Sequence, residues 1–567
     1  MSLSLGKIEM TYDKISELII NRIPDRITVC KITTLLKYMF SFVLVCVSAL
    51  KNQEQNYFAV GFLELLLIFV ITNILINNKM IANVINDILL LFFNIQMIIL
   101  LYANTYLSMV MLTSINSIED IGGKTVIYIT SVLIVLVFSF LPISKVKYYG
   151  NKYALLSAVL SMELIVTLFK GNGFSPIYGY ADLAMQHKHY LELSKNILNA
   201  EDTEIDLYKE EIEDYWKADI RAKNSQMSEK PNIILIFTEG LSQNIISDSR
   251  NIMPNVKLYQ NKSLSFNNYY NHTFATYRGL IGQLYSGYQL SDMDSNPLIS
   301  IQSILSDEGY NTAFINTEPK NHEFSAYLNS FGFDEVVTDN SEKQNGMINS
   351  ISDKDAYKLL LKTAKQYGSK DAPFFLSIYT FGTHATLDSP NKKFEDGSNA
   401  ELNKFYNADF WFGDFMRELS LTELYNNTVI IFTTDHATYK DDSYSASFPN
   451  YDRENVDVDE IPFFIFYNGN VSGHIDAKGR NSLDMIPTVL DFMDISAPNY
   501  FLGTSLFAED SDNISEYSFT DSNLYYSTKE GIVRDMSEQE LNEFNKILQD
   551  YFVTKELIGK SYNEHND

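Results

Sequence analysis

The chain has 567 residues and a formal net charge of −27, and these two numbers limit what it can be. It is too long for one ordinary core, so we expect two or more structural units. Residues 1–170 carry 13 Lys/Arg against 10 Asp/Glu, whereas residues 171–567 carry 31 against 61. Such an acidic part repels phosphate backbones, which argues against nucleic acid as a partner. The two cysteines are Cys30 and Cys46, so residues 47–567 have neither a disulfide nor an all-cysteine metal site.

Apolar stretches dominate the first 170 residues. A helix needs about 20 residues to cross a bilayer. Five stretches are predicted to do so: residues 33–50, 57–77, 83–103, 124–143 and 153–170. The first span is not a cleavable signal, because a long charged segment precedes it and no small-residue cleavage site follows. With the N-terminus in the cytoplasm, nine basic residues lie on cytoplasmic segments and three on the opposite side. This orientation predicts that everything after residue 170 lies outside the cytoplasm.

Three acidic residues, Glu64, Asp87 and Glu163, lie within or near these spans. An acid inside a membrane can mark a transport pathway or a lipid-headgroup site. We interpret these three as neutral or partnered carboxyl groups inside the helix bundle.

A change of pattern follows the membrane part. Residues 171–228 are predicted to be a helical linker, because apolar residues recur at helical spacing between positions 205 and 220. From residue 229, strands and helices alternate as in βαβ units, which predicts an α/β domain over 229–553 with a central, mostly parallel sheet. Residues 554–567 are predicted to be a polar tail. The predicted strands are 232–238, 263–270, 311–316, 373–380, 428–434 and 461–467. The predicted helices are 253–262, 277–287, 298–308, 352–367, 397–420, 482–492 and one from Ser537 to about Tyr551.

Two of the predicted strands end in residues that bind metals. One apolar run ends in Glu239-Gly240 and the other ends in Asp435-His436. Because ligands bind beyond the carboxyl ends of parallel strands, we expect these side chains to meet at one edge of the sheet. Carboxylate oxygen and imidazole nitrogen together suit a divalent ion. Taken separately, an Asp-His pair is more often a cap and a Glu-Gly pair a turn.

A candidate nucleophile follows the second predicted strand, in Asn271-His-Thr273-Phe-Ala-Thr276-Tyr-Arg278-Gly279. A threonine hydroxyl is a poor nucleophile until its proton is removed, which a bound metal promotes. Thr276 lies where a helix is predicted to begin, and a helix start favours a phosphate. Thr273 is a rival for the same role, and either residue also fits a purely structural position.

Several motifs in this order resemble the alkaline-phosphatase superfamily, in its sulfatase-like membrane branch. That branch includes lipoteichoic-acid synthases, phosphoglycerol transferases and phosphoethanolamine transferases. The matching motifs are Pro231-Asn-Ile-Ile-Leu-Ile-Phe-Thr-Glu239-Gly-Leu-Ser, Ala275-Thr276-Tyr-Arg-Gly, Phe331-Gly-Phe-Asp334, Thr433-Thr-Asp435-His436, Leu483-Asp484-Met-Ile-Pro487-Thr488 and Phe501-Leu-Gly-Thr-Ser-Leu-Phe507. The five-span front end also resembles lipoteichoic-acid synthases. The resemblance implies that Glu239, Thr276, Asp435 and His436 are the metal ligands and that Thr276 is the nucleophile.

The resemblance also suggests substrate-binding residues. His384, in Phe381-Gly-Thr-His384, matches the substrate-binding histidine of this branch. His322 lies about where the family places polar substrate contacts, although Lys320-Asn-His-Glu-Phe stands where the family has Trp-Asn-Arg; it also suits an ordinary surface position. Arg278 could brace a phosphate or support the start of the helix.

The resemblance implies a metal-dependent transferase of the bacterial cytoplasmic membrane. It would move a phosphoglycerol-type headgroup from a phospholipid, phosphatidylglycerol, to a cell-envelope glycan or polymer through a phospho-Thr276 intermediate. One divalent ion is expected, Mn²⁺ first and Mg²⁺ or Zn²⁺ as alternatives. A sulfatase needs Cys or Ser where this chain has Thr276, and a two-metal phosphatase or phosphodiesterase needs more ligands. A phosphoethanolamine transferase without disulfides and an inactive lipid-binding relative are the remaining alternatives.

Overall fold

The computed structural model has two compact units, one formed by residues 1–108 and 126–185 and the other by residues 109–125 and 186–567. It describes residues 26–52, 55–103, 106–107, 111–112, 125–170, 172–198, 207–212, 230–290, 295–339, 350–385, 387–453, 455, 457–469, 472–508, 516–520 and 524–564.

The first unit is built from apolar helices. Their bounds are Arg26–Lys51, Gln55–Phe69 (continued by the π-helical turn Val70–Leu75), Lys79–Ala103, Thr125–Ser139, Lys152–Lys170 and Pro176–Leu198. Among the described residues, four stretches are long and apolar enough to cross a membrane, namely Thr28–Lys51, Gln55–Leu75, Lys79–Tyr102 and Lys152–Phe169. These correspond to four of the five predicted spans, and they indicate a membrane protein.

The fourth predicted span, 124–143, is shorter than expected. Its helix, Thr125–Ser139, has 15 residues. It ends early because Pro142 disfavours helical backbone at the residue before it and cannot donate a helical hydrogen bond. Residues 113–124, which precede this helix, lie outside the described part of the chain.

Of the three acidic residues singled out in or near the predicted spans, two have partners. Asp87 forms an ion pair with the buried Lys37, with 2.5 Å between Oδ1 and Nζ. Glu64 accepts hydrogen bonds from the Ser175 hydroxyl and, at 3.2 Å, from the Ile177 backbone N–H. Glu163 Oε2 is buried without a hydrogen-bond partner among the described residues.

The second unit has the expected α/β fold. Its strands are β1 Asn232–Thr238, β2 Leu264–Asn267, β3 Asn311–Asn316, β4 Glu335–Thr338, β5 Phe374–Thr380, β6 Thr428–Thr434, β7 Phe463–Phe466, β8 Gly473–Asp476, β9 Tyr517–Phe519, β10 Leu524–Ser527 and β11 Val533–Asp535. Eight of them form one sheet of order β4-β3-β5-β1-β6-β7-β2-β8. The strands from β4 to β6 in this order are parallel, whereas β7 runs antiparallel to both of its neighbours. A separate three-stranded antiparallel sheet has the order β11-β10-β9.

Helices pack on both faces of the large sheet. The α-helices are Gln243–Ser247, Pro254–Gln260, Thr276–Tyr285, Ile301–Asp307, His322–Asn329, Asp353–Tyr367, Ala400–Ser420, Asp442–Ser447, Met485–Phe492 and Glu538–Glu564. Side chains of β1 alternate between two apolar clusters: Leu235 and Phe237 belong to one, Ile234 and Ile236 to the other. A strand buried on both faces needs a continuous apolar run, which is the pattern seen in the sequence.

Two sequence expectations differ from the structure. Residues 207–212 are not helical, because Lys209 and Asn499 exchange backbone hydrogen bonds of 3.0 Å in each direction. The predicted linker, 171–228, also contains the helix Pro176–Leu198, whereas residues 199–206 and 213–228 lie outside the described residues. The last helix continues to Glu564 through most of the predicted polar tail, since Val553 is buried and Ile558 packs against the core.

Candidate metal and phosphoryl-transfer site

The candidate site lies at the carboxyl edge of the sheet, where β1 and β6 end side by side. Thr238 pairs with Thr434 in parallel register, so Glu239 and Asp435 leave their strands at the same level. The Gly240 N–H donates to Asp435 Oδ1 at 2.9 Å. The Leu241 N–H donates to the His436 carbonyl at 3.1 Å. The two loops are therefore fastened to each other as well as to the sheet.

Glu239, Asp435 and His436 form a buried group that could hold a metal ion. One ligand atom from each lies within 4.8 Å of the other two. His436 Nε2 is 3.5 Å from Glu239 Oε1 and 3.4 Å from Asp435 Oδ2. His436 Nδ1 lies 2.7 Å from the Ala437 carbonyl, so with the proton on Nδ1 the lone pair of Nε2 faces the carboxylates.

Two observations test whether these residues fit a divalent cation. Asp435 Oδ2 is buried and has no hydrogen-bond partner among the described residues. A buried carboxylate oxygen without a donor is costly, and a cation would satisfy it. Two carboxylates and one imidazole also form a donor set that such ions prefer. The residues fit the metal that the sequence predicted.

Burial and neighbouring charges both shift the pKa values of the three residues in this group. Burial, reinforced by the negative charge of Glu239, raises the pKa of Asp435 to about 7. Burial alone would raise the pKa of Glu239, but the neighbouring His436 and His384 outweigh it and lower that pKa. Burial opposes the charged form of His436, yet Asp435 and Glu239 raise its pKa. Two acids this close need positive charge between them, which a divalent cation would supply.

Thr276 lies beside this group at the start of the helix Thr276–Tyr285. Its hydroxyl donates to Glu239 Oε2 at 3.1 Å. The preceding residue, Ala275, has a φ of 90°, a backbone conformation that costs about 1–3 kcal/mol for a residue other than glycine. Such strain is concentrated at functional sites, and here it turns the chain directly into the helix that carries Thr276.

The rival nucleophile Thr273 is engaged elsewhere. Its side chain is buried, and its hydroxyl donates to the Phe519 carbonyl at 2.7 Å. Phe519 belongs to β9, in the small sheet. Of the two threonines, only Thr276 has a recorded hydrogen bond to a residue of the metal group.

The three predicted substrate residues lie at different depths. His384 is half-buried, stacks on Phe381 with 4.7 Å between ring centroids, and is close enough for its charge to lower the pKa of Glu239. His322 is exposed at the first position of the helix His322–Asn329, and within the described part of the chain it has no hydrogen bond or ion pair to the metal group. Arg278 is only 1% exposed, and its charge acts on the buried His272. Both predicted roles of Arg278, bracing a phosphate and supporting the helix start, stay predictions.

Three residues that the sequence did not single out hold Glu239 and His384 in place. The Tyr379 hydroxyl, at the end of β5, donates to Glu239 Oε2. The Thr383 hydroxyl donates to the Glu239 carbonyl at 2.5 Å. Asp353 accepts the Gly382 N–H at 3.0 Å and so fixes the loop that carries Thr383 and His384. Tyr379 and Thr383 lie five and one positions before His384 in the sequence, and nothing else in the sequence indicated that they hold Glu239.

The part of the chain that carries this site is similar to a known protein family. A sequence model of the sulfatase family matches residues 231–495, which include every residue of the site described above. These residues are similar to the sulfatase family, and the match supports the resemblance to the alkaline-phosphatase superfamily that the sequence motifs indicated. Members of this superfamily are metal-dependent, which agrees with the buried Glu239, Asp435 and His436.

Two curated relatives and one solved structure describe the likeness. Lipoteichoic acid synthase 2 of Bacillus subtilis (strain 168) is 24% identical over 397 residues, covering 62% of this chain and 60% of that protein. An arylsulfatase of Clostridium perfringens (strain 13 / Type A) is 31% identical over 253 residues, covering 34% of this chain and 51% of that protein. The chain thus spans less than two thirds of the length of either relative.

The solved structure is a protein in the alkaline phosphatase superfamily from Vibrio parahaemolyticus. It covers 67% of this chain and 96% of its own, with a TM-score of 0.50 and 17% identity. At that identity the likeness shows the fold of the superfamily.

Proposed function

We propose that this chain is a membrane-anchored, metal-dependent transferase. It moves a phosphoglycerol-type headgroup from a membrane phospholipid, phosphatidylglycerol, to a hydroxyl of a cell-envelope glycan or polymer. The observation that carries this proposal is the hydrogen bond from the Thr276 hydroxyl to Glu239, inside the buried group with Asp435 and His436. The apolar helices support it as well, because they would keep the enzyme in the bilayer that contains the donor.

The metal site and the nucleophile have separate tasks in this proposal. A divalent cation held by Glu239, Asp435 and His436, with Mn²⁺ the first choice, would supply a Lewis acid that favours an ionised hydroxyl and offsets negative charge on a phosphoryl group. In the first step, the Thr276 oxygen forms a bond to phosphorus. The bond from phosphorus to the diacylglycerol oxygen breaks, and diacylglycerol leaves with the proton. The headgroup is then a phosphodiester of Thr276.

The second step releases the headgroup to the acceptor. An acceptor hydroxyl gives up its proton and forms a bond to phosphorus, while the bond to the Thr276 oxygen breaks and Thr276 regains a proton. His384 is half-buried beside Glu239, where it can bind the phosphoryl group or carry the proton in this exchange. Residues after position 170 would lie outside the cytoplasm, where cell-envelope acceptors are found.

The likeness to an arylsulfatase makes sulfate-ester hydrolysis the second candidate. A sulfatase of this kind uses an aldehyde hydrate made from Cys or Ser. Here Thr276 has the hydrogen bond to Glu239, and no cysteine lies beyond position 46. The residue at the nucleophile position therefore favours phosphoryl transfer.

The deciding experiment looks for the covalent intermediate. The full chain in detergent is incubated with Mn²⁺ and phosphatidylglycerol without an acceptor, and mass spectrometry of the peptide that contains Thr276 follows. We expect a phosphoglycerol adduct on Thr276 that Thr276→Val abolishes and the control Thr273→Val retains. If an adduct forms only with phosphatidylethanolamine and carries phosphoethanolamine, then phosphatidylethanolamine is the donor and phosphatidylglycerol is not. An adduct on Thr273, or none with either lipid, would reject the mechanism.

A further inference from the structure

One helix of this acidic unit has a basic surface. Acidic residues outnumber basic ones 61 to 31 after position 170. The helix Asp353–Tyr367 nevertheless presents a row of lysines, and its two acids, Asp353 and Asp355, are buried in its first turn. At 3.6 residues per turn the row lies within an arc of about 80° and extends over roughly 16 Å. We call this row the lysine stripe; it consists of Lys354, Lys358, Lys362 and Lys365.

Helix stability does not explain the lysine stripe. Within the described residues, none of its members forms an ion pair with a carboxylate; Lys358, Lys362 and Lys365 are exposed and Lys354 is half-buried. Like charges four residues apart repel each other and destabilise a helix. Acidic residues alternating with these lysines would stabilise the helix, and they are common elsewhere in this chain but absent from this face of the helix.

The stripe begins next to the candidate active site. Asp353, the residue before Lys354, accepts the N–H of Gly382, and Gly382 is two positions before His384. The helix runs from the carboxyl edge of the sheet, where the site lies, to the opposite edge, where β5 begins. The stripe therefore leads away from His384 down the side of the domain.

Aromatic rings lie at the end of the stripe nearest the site. Lys354 Nζ is 5.3 Å from the centre of the Trp411 ring, and Lys392 Nζ is 4.0 Å from the centre of the Phe410 ring. Both rings are half-buried on the helix Ala400–Ser420. Cations over ring faces make a surface that can hold an anion and the apolar face of an organic unit together.

We propose that the lysine stripe and Trp411 bind the acceptor, a flexible chain of phosphodiester-linked units, with its terminal hydroxyl directed toward His384. This inference rests on the proposed function and adds a docking surface to it. Each lysine can neutralise one phosphate along such a chain. The stripe also explains how an acidic domain can hold an anionic substrate.

The narrow shape of the lysine stripe favours binding of a single flexible chain over binding of a flat anionic membrane. Acidic side chains flank the stripe on either side. Asp414 and Glu418 lie on the neighbouring helix, where both pair with the single cation Arg417 and leave a net negative charge. Glu335 accepts the Tyr367 hydroxyl at 2.5 Å. A bilayer surface would meet these acids together with the lysines, whereas one strand can follow the narrow row between them.

The test uses Trp411, which lies beside Lys354, as its probe. The chain has two tryptophans, so Trp216→Phe leaves Trp411 alone. The full chain, in discs of phosphatidylcholine, is titrated with a glycerol-phosphate oligomer at several salt concentrations while Trp411 emission is recorded. We compare a variant with all four stripe lysines changed to Gln with a control variant of equal charge change. The control changes four exposed lysines elsewhere to Gln: Lys262, Lys478, Lys529 and Lys546.

The slope of log affinity against log salt changes by about 0.7 per phosphate contact on a flexible strand, so the stripe variant should lose about 3 units of slope. The control variant should keep the slope. Equal loss in both variants would show an effect of net charge alone and overturn the proposal, as would the absence of oligomer binding. Quenching of Trp411 by brominated phosphatidylglycerol in the discs, lost in the stripe variant, would assign this face to the membrane instead.

The same variants separate this inference from the proposed function. Oligomer binding to Trp411 needs no turnover, so it is measured whether or not Thr276 forms an adduct. The stripe variant should form the Thr276 adduct from phosphatidylglycerol as the unmodified chain does. If the unmodified chain forms no adduct on Thr276, the proposed transferase function is wrong. If the stripe variant binds the oligomer as the unmodified chain does, the proposed docking surface is wrong.

Discussion

Gly279 lies against the carbonyl oxygen of Asp435, so that a β-carbon at position 279 would stand 2.3 Å from it. That oxygen belongs to backbone just after β6 and cannot rotate aside. Gly279→Ala should therefore push the helix of Thr276 away from the metal group and cost about 1–3 kcal/mol of stability. Thermal denaturation of the full chain measures the cost, and the Thr276 adduct measures the displacement.

A second glycine gives the matched control. Gly559 lies inside the helix Glu538–Glu564, where an added β-carbon would meet Pro297 Cγ at an ordinary 3.5 Å. Gly559→Ala should stabilise the chain by roughly 0.5–1 kcal/mol, because alanine loses less conformational entropy in a helix. If Gly279→Ala behaves in the same way and keeps the adduct, close packing on Asp435 does not position Thr276.

Tyr379 is predicted to set the metal affinity of the site through Glu239. Its hydroxyl donates to Oε2, the same oxygen that accepts the Thr276 hydroxyl. Tyr379→Phe should leave the fold intact and weaken Mn²⁺ binding by about 10–100-fold, the usual effect of losing a partner of a metal ligand. Titration calorimetry with Mn²⁺ gives the affinity directly.

Tyr310→Phe is the control for that substitution. The Tyr310 hydroxyl is also buried but has no hydrogen-bond partner among the described residues. Its removal should leave Mn²⁺ affinity unchanged. Similar affinities for the two variants would mean that Tyr379 does not orient Glu239.

The central strands were predictable because burial on both faces leaves a clear pattern. The predicted ranges 232–238 and 428–434 are those of β1 and β6. The edge strands β4 and β8 were missed, since Glu335–Thr338 and Gly473–Asp476 are short and partly exposed and have no continuous apolar run. Sequence reasoning therefore located the strands that position the site better than those at the margins of the sheet.

Some residues of the site could also be predicted from the sequence, whereas others could not. Glu239, Asp435 and His436 were predictable because each directly follows a buried strand, so the sheet itself brings them together. Residue chemistry alone left Thr273 as a rival of Thr276, three positions away, and only the family resemblance favoured Thr276. Their difference depends on Phe519, which is 246 positions from Thr273 and gives it a carbonyl to bind. Contacts this distant leave no local pattern.

Asp409 should make stability depend on pH. Burial raises its pKa from 3.8 to about 6, although it accepts the Val256 N–H at 2.8 Å and the Asn255 amide at 2.7 Å. An acid whose pKa is higher in the folded state stabilises the fold while protonated, and this contribution is lost as pH rises. Between about pH 4 and about pH 6 it should lower the free energy of unfolding by roughly 3 kcal/mol.

Asp409→Asn tests this contribution, since its amide oxygen can still accept from Val256 and the Asn255 amide can rotate to accept from the new N–H. Urea unfolding of the full chain in detergent, followed by the emission of nearby Trp411, gives the free energy at each pH. The advantage of the unmodified chain over the variant should shrink as pH rises through this range. A constant difference would show that the carboxyl group of Asp409 does not titrate there.

A divalent cation should stabilise the α/β unit, and Asp435→Asn should remove that effect without weakening the metal-free fold. At a Mn²⁺ concentration of about 100 times the dissociation constant, the bound ion adds about 2.7 kcal/mol. The variant keeps the oxygen that accepts the Gly240 and His436 N–H groups, at 2.9 and 2.8 Å. It loses only the negative charge beside Glu239, so without metal it should be at least as stable as the unmodified chain. Thermal unfolding with EDTA and with Mn²⁺ measures both effects, and an equal rise in both proteins would place the metal elsewhere.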